Sequence, residues 1–329
     1  MNIVPRSQTP GFAGLWRAPC RGTSAFAALP LAVGYVVTCA NKVPTNEGKA
    51  AMRFALKTRP EHQTWEELLA LWVAADEYPL FESIWNWDHF YPLTGDLTGP
   101  NFEGWTMLAA MAQATRQIRI GCQVTGMPYR HPAVLANMAA TVDIISGGRL
   151  ELGLGAAWNQ MECEAYGIPL PPLKERFDRF DEGIEAIIAL LSQTVSTYDG
   201  TYVQLTNARC EPKPVQRPHP PITIGGNGRK RTLRTAARYA SEWNGTTQDP
   251  AEYAELKEVL REHCATVGRD FSEITCSILV RGAGEDLTRL PEAVETWRAA
   301  GADLMVLGLP LHAKPEYIGQ LAETLAPLS

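Results

Sequence analysis

Four stretches of the chain carry residue types that could do chemistry. The first, Trp85-Asn86-Trp87-Asp88-His89-Phe90, ends an apolar run with a carboxylate beside an imidazole. Such a pair, set among aromatic rings at a strand end, could orient a ligand and pass a proton near neutrality. The plain alternative is that Asp88 caps a turn and His89 packs. The second stretch, Gly225-Gly226-Asn227-Gly228, follows Pro221-Ile222-Thr223-Ile224 and leads into Arg229, Lys230, Arg231 and Arg234. Glycines bring backbone N–H groups close to a ligand, and a following helix N-terminus favours a phosphate. A glycine turn with a solvated basic face would read the same way.

The third stretch is Gly121-Cys122-Gln123-Val124-Thr125-Gly126, followed by Tyr129-Arg130-His131-Pro132. Its flanking glycines mark a bulge that re-aims side chains, and His131 reads as structural. The fourth, Leu152-Gly153-Leu154-Gly155-Ala156-Ala157-Trp158-Asn159, has small residues that let a planar ligand approach the backbone. Trp158 and Asn159 could bound and hydrogen-bond such a ligand. Trp87, Phe90, Trp105 and Trp158 supply apolar lining for a partly hydrophobic substrate, although core packing accounts for some of them equally well. The sequence has no catalytic triad, metal-ligand spacing or Walker loop, so the hard chemistry is assigned to a bound cofactor.

Eight short apolar runs must position these stretches: Met52–Lys57, Ser83–Trp87, Ile118–Val124, Arg149–Leu154, Pro221–Gly225, Glu242–Gly245, Ile274–Val280 and Asp303–Leu307. Helical patterns lie between them. One runs from Pro132 to the Gly147-Gly148 pair. The longest carries Leu173, Phe177, Phe180, Ile184, Ile187, Ile188 and Leu191 on one face. Alternation of strand and helix implies parallel pairing, and a count of eight favours closure into a (β/α)8 barrel, an α/β fold. Ala156–Pro172 is irregular, and Thr194–Gln204 around Asp199-Gly200 reads as a hairpin. Both form an insertion between the fourth and fifth barrel strands.

Of 329 residues, 20% are charged and 45% hydrophobic, which is an ordinary globular balance. The net charge of −6 conceals a basic leader, with Arg6, Arg17, Arg21, Lys42 and Lys49 against Glu47. Everything after residue 51 therefore carries −10. An acidic body excludes a nucleic-acid partner. Seven scattered cysteines fit neither a zinc site nor a disulfide framework and read as buried free thiols in the cytoplasm.

Residues 1–51 form an extension distinct from the domain over 52–329. Ala25–Ala40 is uncharged and mostly apolar, but Pro30 interrupts it and it is short for a membrane span. A start site placed too far upstream, with translation beginning at Met52, is the expectation. An exported or anchored form is the alternative. No membrane association is expected of the domain itself, and a homodimer is a candidate assembly.

Three segments together resemble the luciferase-like monooxygenase family: SIWNWDHFYP (83–92), GCQVTGMPYRHPAVLANMAATVDIISGGRLELGLGAAWNQMECEAYGIPLPPLKERFDRFDE (121–182) and ARCEPKPVQRPHPPITIGGNGRKRTLRTAARYASEWN (208–244). The likeness spans about residues 52 to 325 and is closest to the branch that uses coenzyme F420, a deazaflavin that transfers hydrides. It implies a ring lying at the C-terminal mouth of a TIM barrel, against a non-proline cis peptide at Gln123–Val124 that Thr125 follows. Asp88 and Asn159 would then contact the cofactor. Gly225, Gly226, Asn227 and Gly228 would cradle its phosphate, and His89 would donate or accept the proton. Trp87, Phe90 and Trp158 would line the substrate pocket. The family's sugar-phosphate dehydrogenases carry a Trp and a Glu where this chain has Leu93 and Ala156, which counts against a sugar-phosphate substrate. An FMN-dependent monooxygenase is the nearest alternative, and a cofactor-binding paralogue without turnover is a third.

Overall fold

The computed structural model describes residues 51–282 and 286–329. The expectations placed on the leader, including Cys20 and Cys39, lie outside them. In chain order the strands are β1 (Arg53–Lys57), β2 (Phe81–Asn86), β3 (Arg119–Cys122), β4 (Thr125–Gly126), β5 (Leu150–Gly155), β6 (Ser196–Asp199), β7 (Gln204–Ala208), β8 (Ile222–Gly225), β9 (Glu242–Gly245), β10 (Thr275–Val280) and β11 (Leu304–Gly308). The helices are α1 (Trp65–Asp76), α2 (Gly104–Ala114), α3 (Pro132–Ser146), α4 (Gln160–Tyr166), α5 (Leu173–Ser192), α6 (Thr232–Tyr239), α7 (Pro250–Val267), α8 (Leu290–Ala299) and α9 (Pro315–Leu325).

Parallel pairing runs from β3 through β2, β1, β11, β10, β9 and β8 to β5, and Ile120 of β3 pairs with Leu150 of β5. The sheet therefore closes into the expected eight-stranded barrel. The hairpin is present as the antiparallel pair β6–β7, starting two residues and ending four residues later than its pattern indicated. Inside the irregular Ala156–Pro172 stretch lies the short helix α4, which the sequence reading did not anticipate. The third strand is shorter than expected. It stops at Cys122 and resumes as β4 at Thr125, with Gln123–Val124 between.

Local chemistry sets the helix ends. Thr64 and Glu67 form a capping box at the start of α1. Pro132 opens α3 behind a cap from the His131 side chain, and Gly147, at φ 70°, closes it. Asp249 caps α7 ahead of Pro250.

The strands alternate with a period of two. Outward residues such as Ile84, Ile120, Leu152, Ile224, Trp243, Ile278 and Met305 join one large core with the helices. Ala55, Trp85, Leu279, Leu304 and Val306 form a separate small cluster, and they occupy the alternate positions, facing the barrel axis. Cys122, Cys163, Cys210, Cys264 and Cys276 are buried and free, as expected. Among the described residues, no helix is long and apolar enough to cross a membrane.

The N-terminal end of the barrel is closed by charge. Arg53 pairs with Glu82 at 3.2 Å, and Arg119 pairs with Glu151. Among the described residues Glu242 forms no ion pair, and it accepts a hydrogen bond from Ser277 at 2.6 Å. Burial, reinforced by nearby Glu151 and Glu82, pushes its carboxyl up to about 8. The folded state thus holds a proton that the unfolded chain releases near its ordinary value of 4.5. Stability contributed this way is present at low pH and lost as pH rises toward 8. Glu242→Gln, which keeps the shape without the charge, is expected to match the wild type in melting temperature at pH 5 and to exceed it at pH 9. Equal melting temperatures at both pH values would show that this carboxyl ionises freely.

Candidate active site

One cleft at the C-terminal mouth of the barrel gathers four of the stretches singled out from sequence. It has a volume of about 230 Å3, and its walls include Asp88, His89, Val124, Gly155, Trp158 and Gly225. The end of β2 therefore faces the glycine turn after β8 across a shared space. Had the turn pointed away from Asp88 and His89, no single ligand could have touched both.

The floor is built at the break in the third strand. The Gln123–Val124 peptide bond is cis. Lys57, at the end of β1, donates to the Gln123 carbonyl at 2.6 Å, and burial lowers this lysine to about 8. The Val124 side chain then rises between β5 and β8. A Cβ on Gly155 would stand 2.6 Å from Val124 Cγ2, and one on Gly225 would stand 2.9 Å from its Cγ1. Gly155 was expected to let a planar ligand approach, and Gly225 to cradle a phosphate. What they admit is Val124.

The glycine turn has separate requirements. Gly226 sits at φ +120°, a conformation that disfavours every residue with a Cβ. A Cβ on Gly228 would stand 2.6 Å from Thr232 Oγ1. Asn227 spends its carbonyl oxygen on the amide of Thr246, so it holds the turn and does not line the cleft. No side chain caps the N-terminus of α6, and Thr232, its first residue, lines the cleft. The expected basic field is largely neutralised: Arg229 pairs with Glu255, Arg231 with Asp178 and Arg234 with Asp181. Each guanidinium lies within reach of a carboxylate from α5 or α7 and has turned toward it.

Other expected contacts are already engaged within the protein. Asp88 lines the cleft, but its carboxylate has partners of its own. It holds Arg130 through two hydrogen bonds, of 2.6 and 2.9 Å, and accepts from the amide of Gly126. Burial works against the charge on Arg130, but Asp88 and Glu103 outweigh it and raise the guanidinium above its ordinary value. Asn159 caps α4 by accepting from the amide of Glu162 at 3.3 Å. Thr125 accepts from the indole of Trp105 at 3.0 Å, so both are core. Gln123 is buried. Trp87 reaches toward Asn101, and Phe90 packs on Tyr129 and Tyr166; neither lines the cleft. Trp158 does line it, 65% exposed, with its ring edge-on to His89 at 5.6 Å.

Sequence reading missed the groups that hold His89 in place. Glu162 of α4 is fully buried, and one of its oxygens lies 2.8 Å from His89 Nδ1 and 2.8 Å from the Tyr129 hydroxyl. A second buried carboxylate, Glu61, accepts from the amides of Leu93 and Thr94. Neither glutamate lies in a glycine-rich or aromatic motif, and both act across long sequence separations. No local signal pointed to them.

The family described as luciferase-like monooxygenase has a sequence model that matches residues 37–302. An F420-dependent glucose-6-phosphate dehydrogenase of Microbacterium testaceum is 33% identical over 227 residues, covering 68% of this chain and 66% of its own length. An FMNH(2)-dependent dimethylsulfone monooxygenase of Pseudomonas putida is 31% identical over 150 residues, covering 46% and 40%. Among solved structures, an F420-dependent secondary alcohol dehydrogenase in complex with an F420–acetone adduct matches with a TM-score of 0.74 at 20% identity. That match covers 84% of this chain and all of the other, and it is a likeness of fold.

The seat of Val124 can be tested by volume. Gly155→Ala is expected to destabilise by roughly 1–3 kcal/mol through overpacking. Combining it with Val124→Ala, which removes the clashing Cγ2 methyl, should recover part of that loss. Chemical denaturation of the two single variants and the double variant measures the coupling. Strict additivity would show that the two side chains do not compete for the same space.

Proposed function

This chain belongs to the luciferase-like monooxygenase family, and we propose that within it the protein is an F420-dependent oxidoreductase acting on a small organic substrate. The observation that carries this reading is the single cleft joining His89 to the Gly225–Gly226 turn. Its parts fit a ring with an anionic tail. At one end, the first turn of α6 carries no side-chain cap and begins at Thr232 in the cleft wall, which places helix N-terminal N–H groups toward a phosphate. Along the wall, Ala156 and Ala157 present little more than backbone to a flat ring, and Val124, seated against Gly155, forms the floor beneath it.

When bound, the deazaflavin supplies hydride acceptance and donation. The residues of the chain supply the rest. Trp158 and His89 close the far end of the cleft, where a substrate would stand beside the ring. The imidazole there takes or returns the substrate proton. Asp88 acts one step removed, locking Arg130 and the Gly126 amide so that the walls keep their places. With Ala156 in the wall and Leu93 tied to Glu61, the chain lacks the Trp and Glu of the sugar-phosphate enzymes, which supports a different substrate.

FMN could occupy the same cleft, and the Pseudomonas putida relative supports that second reading. Titration of the purified chain with each cofactor separates them. Binding of F420 at least about tenfold tighter than FMN, a difference of about 1.4 kcal/mol, is expected. The reverse order would reject the deazaflavin. In the same series, His89→Ala should keep its cofactor affinity and lose about 10²–10⁴-fold in turnover, read from F420 absorbance against a panel of alcohols, enones and imines.

The protein is also proposed to be a homodimer. Helix α2 carries no charged residue, and the one in α3, Asp143, is buried. The two helices pack side by side, and α3 exposes Val134, Ile144 and Ile145 by 53%, 38% and 42%. Charge-free outer faces on adjacent helices are what a self-complementary contact needs. Sedimentation should give twice the chain mass for the wild type and the single-chain mass for the Val134→Glu, Ile144→Lys double variant. A wild-type monomer at micromolar concentration would remove the dimer.

A further inference from the structure

Glu162 is the third residue of α4, and three of its four hydrogen bonds go to the loop that carries His89. Oε1 accepts the backbone N–H groups of Phe90 and of Tyr91, the latter at 3.3 Å. Oε2 accepts the Tyr129 hydroxyl and faces His89 Nδ1, each at 2.8 Å. Burial works to raise this carboxyl, but its donors, His89 and the Phe90 amide first among them, outweigh burial and hold it below its ordinary value. A carboxylate can only accept, so the proton between it and the imidazole sits on Nδ1. The other ring nitrogen, Nε2, has no partner among the described residues, and His89 lines the cleft.

We infer that Glu162 is a positioning residue that fixes His89 in its Nδ1–H tautomer and thereby turns the Nε2 lone pair toward the substrate. This rests on the reading of His89 as the proton-handling group. It also narrows the substrate. A lone pair accepts, so the substrate must bring an O–H or N–H donor to this end of the cleft. Alcohols and amines fit, whereas an aprotic hydrocarbon does not. On transfer, the donor's O–H or N–H bond breaks, its electron pair stays on the heteroatom, and the new bond forms to Nε2. The resulting imidazolium stands against the Glu162 carboxylate.

The tautomer can be read in the full chain without added cofactor. Two-bond nitrogen–proton correlations on nitrogen-15-labelled histidine resolve it, and the spectrum of His89→Gln assigns the signal among the six histidines. The neutral ring of the wild type is expected to carry its proton on Nδ1. In Glu162→Gln, the amides of Phe90 and Tyr91 still require an oxygen, so the side-chain NH2 must face His89. Nδ1 then becomes the acceptor, and the proton moves to Nε2, inverting the tautomer. Tyr129→Phe removes a donor without touching Nδ1 and should leave the tautomer as in the wild type.

An Nε2–H ring in the wild type, or an uninverted ring in Glu162→Gln, overturns the inference. If Glu162→Gln does not fold, the wild-type and Tyr129→Phe spectra decide alone. Turnover measured alongside separates this claim from the one it rests on. An inverted tautomer with unchanged turnover would uphold the role of Glu162 and remove His89 from the reaction.

Discussion

The mouth of this barrel depends on how residues 88–94 leave β2. Beyond Asn86 the chain has no neighbouring strand to bond, so the amides of Phe90, Tyr91, Leu93 and Thr94 need acceptors from elsewhere. Buried carboxylates from other loops answer that need. Glu162 takes the amides of Phe90 and Tyr91, and Glu61 takes those of Leu93 and Thr94. Asp88, inside the same loop, faces the other way and takes the amide of Gly126. The loop is thus held by charge-assisted hydrogen bonds at both ends, and His89 sits on a rigid support although it belongs to no regular element.

Such an arrangement is vulnerable in a characteristic way. A buried ion pair adds little net stability over an apolar replacement, but removing one partner strands the other and costs about 3–5 kcal/mol. Arg130 is the case in point, lying between Asp88 and Glu103 with most of its side chain out of water. Loss of either carboxylate would disturb the start of α3 and the Tyr129 that reaches Glu162. Fold and site are therefore coupled through residues that never touch a ligand.

The contrast between what the sequence disclosed and what it withheld follows from the range of each interaction. Strand and helix periodicity is local. All eight barrel strands were legible to within about two residues, and so were the helix from Pro132 and the long helix ending near Ser192. The Asp88–His89 pair and the glycine turn were legible as motifs because residue type and position near a strand end coincide there. Their partners were not. Lys57 reaches Gln123 across 66 residues, and Glu162 reaches His89 across 73. Helix α4 was missed for a related reason: seven residues give too few turns for a periodic face, and only the fold reveals what its third residue does.

The glycines show where composition misleads. Gly121, Gly153, Gly155 and Gly225 all lie where a ligand-binding reading is natural. Each is instead required by a neighbour within the protein. A Cβ on Gly121 would strike the ring of Trp85 at 2.3 Å, and one on Gly153 would strike the Cys122 carbonyl at 2.0 Å. Gly155 and Gly225 yield their space to Val124. The smallness at the barrel mouth is therefore already used, and what faces the cleft is a branched apolar side chain seated between two strands. A flat ligand entering there meets a floor whose height is fixed by packing, with His89 at one end and the α6 turn at the other.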